Sequence, residues 1–283
     1  MTDLFIGVVS HERSRFVDSQ GPRGTAALLA AACTDLGLNV VTRVNTDDAY
    51  DPAQLPITRA VVQRCILAQS RLEFSWRNYL HADRPGMWGR LRNLAGGAVI
   101  AARLELTTAS REAGVQMVRR LINIELSHLS LLGAGLESGA DWILILEDDA
   151  LAPDPQDAAM GLTSLVRTAD AVPGYVNLSV SHTAAELGVA ALMTHGSRWE
   201  GLLPRTVLHA ARPVTNTVCA IAYRASFAAP LLRAMEAMPL DPVIPIDWKL
   251  NAALMEMFRS GQADGSTCWQ VEPGPFQQRS MHA

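Results

Sequence analysis

The run Trp142-Ile143-Leu144-Ile145-Leu146 ends abruptly in three consecutive acids, Glu147-Asp148-Asp149. A tryptophan and four aliphatic residues followed by a polar turn read as a buried strand whose carboxyl end presents carboxylates. In open α/β sheets, ligands bind at that end of the strands. Three neighbouring acids repel one another and favour a divalent cation. Hard oxygen ligands suit magnesium or manganese, with a phosphate on the far side. The stretch therefore points to a metal–diphosphate site. The plainer reading is an acidic turn that caps a strand and meets water.

At 283 residues, 49% of them hydrophobic, the chain is long enough for one large α/β domain or two small ones with a real core. The net charge of −4 hides an asymmetry. From Arg59 to Arg120 there are eleven arginines against Glu73, Asp83, Glu105 and Glu112, a net +7, which leaves −11 for the remainder. Such a basic segment suits anionic lipid or an acidic acceptor, and equally a scattered solvated surface. Cys33, Cys65, Cys219 and Cys268 form no CxxC pair, so neither a zinc site nor a disulfide framework is indicated, and reduced cytoplasmic thiols are expected. Met1-Thr2-Asp3-Leu4 lacks the basic start of a signal peptide, and no run approaches the roughly 20 apolar residues needed to span a bilayer. The expected location is cytoplasmic, with peripheral contact at the inner face of a membrane through the basic segment.

Leu4 to Ser10 reads as a first buried strand, and its polar end, Val9, Ser10 and His11, is the place for a nucleotide base. Ala26 to Leu36 carries a helix pattern that Gly37 stops, and Leu38 to Val44 makes a second strand ending in Asn45-Thr46-Asp47-Asp48. In nucleotide-binding α/β domains, acids placed like Asp47 and Asp48 contact ribose or base, although a loop Asp that makes its own turn is at least as common. Gly21-Pro22-Arg23-Gly24-Thr25 has neither phosphate-loop spacing and reads as a loop that opens a helix. From Pro56 to about Leu106 the pattern is less regular, with arginines and aromatic residues interleaved from Arg71 to Arg92. That stretch fits an amphipathic surface lying on a membrane or acceptor groove, or a helical subdomain packing its tryptophans inward.

Apolar residues from Val115 to Leu132 recur at helical spacing, so a long helix is expected over 114–134, broken by Gly133, Gly135 and Gly139 before the Trp142 strand. His128 sits within it, and a lone histidine on a mostly buried helix is more often structural than catalytic. Pro153 and Pro155 place a loop after the acids. Then come a helix over 160–169, a strand over 175–180, irregular chain over 183–212, a strand over 217–223 and a helix over 224–238. Asp247 occupies a natural N-cap position for a helix over 248–259, and the tail from Trp269 is too polar for a core element.

The order of these features resembles glycosyltransferase family 25, the lipopolysaccharide-type and procollagen-type glycosyltransferases. The resemblance is carried by Glu125-Leu126-Ser127-His128-Leu129-Ser130 leading into Gly139-Ala140-Asp141 and the Trp142–Ala150 strand end. Weaker echoes follow in order at Ala220-Ile221-Ala222-Tyr223-Arg224, Pro245-Ile246-Asp247-Trp248 and Pro275-Phe276-Gln277-Gln278-Arg279-Ser280, the last with altered spacing. About 115–280 is covered, and the Arg/Trp-rich stretch does not fit.

The resemblance implies a GT-A-like fold: an α/β, Rossmann-type mixed sheet flanked by helices, forming a single domain over 1–283 with a basic helical insertion or subdomain at about 57–113. It implies a hexosyltransferase-like enzyme that takes a sugar from a nucleotide-sugar, a UDP-sugar in the first instance, to a hydroxyl of a glycan or lipid-linked acceptor. Manganese or magnesium would be held by Glu147 and Asp149, with His282 or His182 completing its shell. Glu147 and Asp148 would also border the nucleotide-sugar. As alternate residues at a strand end, Glu147 and Asp149 are expected on one side and Asp148 on the other. Asp247 is the candidate general base for an inverting transfer, against a plain N-cap role. No nucleic-acid partner is expected. Two alternatives stand beside this reading. A sugar nucleotidyltransferase would share the sheet and acids, but its Gly-rich loop directly follows the first strand. A non-catalytic nucleotide-sugar-binding or membrane-associated protein would keep the fold without transfer.

Overall fold

The structure is a computed structural model that describes residues 2–10, 21, 23–46, 49–53, 55–69, 87–105, 108–167, 173–179, 193–195, 206–210, 217–264 and 267–279. Its strands are β1 (Leu4–Val9), β2 (Val40–Asn45), β3 (Trp142–Glu147), β4 (Ala150–Leu151), β5 (Tyr175–Asn177), β6 (Met193–His195), β7 (Thr206–Ala210), β8 (Ala220–Arg224), β9 (Cys268–Glu272) and β10 (Gln277–Gln278). The helices are α1 (Thr25–Asp35), α2 (59–69), α3 (Met87–Glu105), α4 (Thr108–Glu137), α5 (Pro155–Arg167), α6 (Ala225–Glu236) and α7 (Ile246–Arg259). The chain divides into two compact units. The first takes Met1–Asp47, Ser127–Glu236 and Leu250–Ala283, and the second takes Asp48–Leu126 and Ala237–Lys249. The second is wider than the insertion read from the sequence, because it runs from Asp48 to Leu126 and residues 237–249 join it.

The first unit is built on an eight-stranded mixed sheet in the order β2-β1-β3-β8-β5-β9-β7-β6. β1 lies parallel to both β2 and β3, β8 runs antiparallel to β3 and β5, and β5 is parallel to β9. The carboxyl ends of β1, β2, β3, β5 and β9 therefore share one edge. β1 and most of β3 are buried on both faces, which is why they read as continuous rather than alternating apolar runs. On one face, Leu4, Ile6, Val8, Trp142, Leu144 and Leu146 pack with Leu29 and Cys33 of α1 and Leu162 of α5. Gly37, at φ 85°, closes α1 in a Schellman arrangement, its N–H donating to Thr34 O and that of Leu38 to Cys33 O.

α4 covers the opposite face. A Cβ on Gly7 would lie 3.2 Å from Leu131 Cβ, and one on Gly135 only 2.8 Å from the Ile143 side chain. This contact explains a departure from the expected helix break at Gly133 and Gly135. Both stay helical to Glu137, and the missing Cβ at Gly135 permits the close approach. An interior helical glycine costs about 1 kcal/mol relative to alanine. The turn comes at Gly139, with φ 69°.

Other boundaries shift for local reasons. Pro155 opens α5 instead of lying in a loop, because Asp154 Oδ1 accepts from the N–H groups of Gln156 and Asp157 and proline suits a first helical position. The segment over 183–212 contains β6 and β7. The tail is not excluded from the core either: β9 sits between β5 and β7, with Cys268, Gln270, Val271 and Phe276 buried.

In the second unit, Val61, Val62, Cys65 and Ile66 of α2 pack with Val118 and Ile122 of α4 and with Val243. Arg64 pairs with Asp241, and Glu125 with Lys249. α3 leaves Met87, Trp88, Leu91, Leu94 and Val99 exposed, Trp88 by 78%. The inward packing considered for the tryptophans does not describe Trp88; Trp76 lies outside the described residues. No helix among the described residues is long and apolar enough to cross a membrane.

Candidate functional site

After β1 the chain passes through α1 to β2 on one side. It then returns through later elements to β3 on the other side of β1. A crevice opens outside the carboxyl ends at such a reversal, because successive connections leave on opposite faces. Here α1 and α4 are those opposite faces. Val9 pairs with Asn45 on one side and Glu147 on the other, so the three strand ends finish level. Ser10 continues this edge: its N–H donates to Asn45 O at 2.9 Å and its Oγ to Asp148 Oδ2 at 3.4 Å.

β3 stops at Glu147, and residues 148–149 turn into β4, which pairs with β10. Main-chain bonds fix this turn. Glu147 N donates to Cys219 O at 2.9 Å, and Arg279 N donates to Asp149 O at 3.0 Å. The alternation expected to put Glu147 and Asp149 on one side applies to Glu147, the last strand residue, and does not reach Asp149 in the turn.

The three acids have different surroundings. Asp148 faces Ser10 and is half-buried. Glu147 follows Ile143 and Ile145 onto the α4 face, where its Oε1 lies 3.9 Å from His128 Nε2. Asp149 is 7% exposed and its Oδ1 has no hydrogen-bond partner among the described residues. The same holds for His128 Nε2, on a residue 5% exposed. Burying a polar atom without a partner costs about 1–3 kcal/mol. Two such atoms at one strand end are a local deficit that a ligand would offset. The charge also reaches Cys219, whose thiol is pushed well up, chiefly by burial and further by Glu147.

Polar groups continue along the sheet. Asn177 and Gln270 are paired in register and almost fully buried. Asn177 Oδ1 accepts from Ser179 N, its Nδ2 donates to Thr217 O, and Thr217 Oγ1 donates to Gln278 Oε1.

Of the residues singled out in the sequence, Val9, Ser10, Asn45, Glu147, Asp148 and Asp149 come together at this edge. His11, Asp47, Asp48, His182 and His282 lie outside the described residues. Asp247 belongs to the second unit and is the second residue of α7 rather than its N-cap, because the helix opens one residue earlier at Ile246. His128 is the residue that sequence reasoning set aside. A signal existed: His128, Leu131 and Gly135 share one helical face at spacings of three and four, and that face meets the sheet.

Among the described residues, no three His, Cys, Asp or Glu side chains are gathered to hold a metal ion by themselves. Magnesium-type sites commonly use one or two carboxylates and take their remaining oxygens from substrate phosphates and water. A carboxylate set with a buried Asp149 oxygen that has no partner among the described residues fits that mode of binding. Fold and site together define a mixed α/β protein with an acidic cluster at the carboxyl ends of parallel strands. No protein-family model matches the chain, and no curated protein matches it.

Proposed function

We propose that the protein is a metal-dependent glycosyltransferase with a GT-A-like arrangement, moving a sugar from a nucleotide-sugar, first of all a UDP-sugar, to a hydroxyl of a glycan or glycolipid. The observation that carries this reading is the buried Asp149 carboxylate, one oxygen of which has no hydrogen-bond partner among the described residues, beside Glu147 where the chain reverses between β1 and β3. The Leu-Ser-His helix and the Glu-Asp-Asp strand end resemble glycosyltransferase family 25, and His128 lying beside Glu147 supports treating them as one unit.

Each residue has a proposed part. The strand ends at Val9, Ser10 and Asn45 border the nucleoside. Asp148, engaged by Ser10, holds the β1 and β3 ends in register at the donor. Glu147 and Asp149 hold manganese or magnesium against the diphosphate. When bound, that metal supplies a Lewis acid for the charge developing on the leaving phosphate. Asp247 takes the proton of the acceptor hydroxyl. The basic segment and α3 rest on the inner face of an anionic membrane that supplies a lipid-linked acceptor.

A screen of UDP- and GDP-sugars for manganese-dependent hydrolysis tests the activity. Release of nucleoside diphosphate from one sugar-nucleotide is the expected result. Turnover of none, with or without glycan acceptors, contradicts it.

A further inference from the structure

We infer that His128 is itself a ligand of the divalent cation, binding through Nε2 alongside Glu147. This rests on the donor-site reading above and adds a nitrogen ligand from α4 beside Glu147 at the end of β3.

Three observations carry it. His128 Nε2 is buried and without a hydrogen-bond partner among the described residues, although a buried imidazole nitrogen ordinarily has one. Its distance of 3.9 Å from Glu147 Oε1 is too long for a hydrogen bond. First-row divalent cations bind imidazole nitrogen and carboxylate oxygen at about 2.0–2.2 Å, so one cation spans that gap with little movement of either side chain. Finally, the histidine is held firmly. Leu131 and Gly135, one and two turns further along α4, pack directly over Gly7 and Ile143 of the sheet. A ligand placed by packed elements is preorganised for binding.

The chemistry makes a distinct prediction. Carboxylates and phosphate oxygens alone suit magnesium as well as manganese, whereas an imidazole shifts preference toward manganese and later first-row metals. His128 therefore sets metal choice as well as affinity.

The test is pulsed electron paramagnetic resonance of the protein with manganese and UDP, comparing the parent with His128→Gln. The parent is expected to show echo modulation from a directly bound nitrogen-14. Labelling its histidines with nitrogen-15 changes that modulation, a readout that does not depend on a variant folding. His128→Gln is expected to lose the modulation, weaken manganese by at least about 10-fold, since losing even an outer-shell partner costs about 10- to 100-fold, and bind magnesium nearly as before. Bound manganese with no nitrogen coupling, or a coupling that persists in His128→Gln, overturns the role of His128 and leaves the donor site standing. Failure of the parent to bind manganese with UDP overturns both.

Discussion

Glu125 and Lys249 form an ion pair inside the second unit, with side chains only 1% and 2% exposed. Lys249 is the single lysine of the chain. Burial raises the Glu125 carboxyl above its ordinary value, and the lysine beside it works in the opposite direction. Lys249→Met leaves that carboxylate buried alone, and removing one partner of such a pair costs about 3–5 kcal/mol. A carboxyl whose folded pKa is raised contributes its full stability below its unfolded pKa and loses it as pH rises through the folded value. The deficit of Lys249→Met in urea unfolding is thus expected at pH 7 and should shrink as pH falls toward the ordinary carboxyl value of 4.5. Glu125→Leu added to Lys249→Met should restore most of it. An equal deficit at both pH values would contradict the assignment.

Asp247 tests the catalytic half of the proposal separately from the donor half. Asp247→Asn removes a base while keeping the size of the side chain. It should leave the binding of UDP with manganese unchanged and reduce transfer at least about 100-fold, the lower range for losing general base catalysis. Transfer at the parent rate would make Asp247 only a residue of the first turn of α7.

The exposed face of α3 makes the membrane claim measurable. Met87, Trp88, Leu91, Leu94 and Val99 are open to solvent on a helix that also carries Arg90, Arg92 and Arg103 against Glu105. Apolar residues beside arginines suit an anionic bilayer surface. In flotation assays the protein should rise with anionic vesicles but not zwitterionic ones. Trp88→Ser combined with Leu91→Ser should weaken this, as should high salt, which screens the charge. Equal flotation with both vesicle types would contradict the claim.

What could be read from sequence divides by physical cause. Leu4–Val9 and Trp142–Leu146 are legible because strands buried on both faces are continuously apolar. β9 is not, because its buried Gln270, whose Nε2 donates to Glu272 two residues along the same strand, looks like loop polarity in one dimension. Gly135 reads as a helix breaker until Ile143 is seen against it. By composition the acids read equally as a cation site or a solvated turn, and their unequal surroundings are not legible there. Asp148 engages Ser10, 138 residues away in sequence, while Asp149 keeps an oxygen without a hydrogen-bond partner among the described residues. His128 is ordinary until α4 is laid over the end of β3.

The most direct test of the central claim is the melting temperature with manganese and UDP together, in the parent and in Asp149→Ala. At ligand about 100 times its dissociation constant, binding stabilises by about 2.7 kcal/mol. For a chain of this size that is a rise of roughly 5–10 °C. The account predicts this rise in the parent and none in a folded Asp149→Ala. No rise with any nucleoside diphosphate, or an undiminished rise in Asp149→Ala, would contradict it.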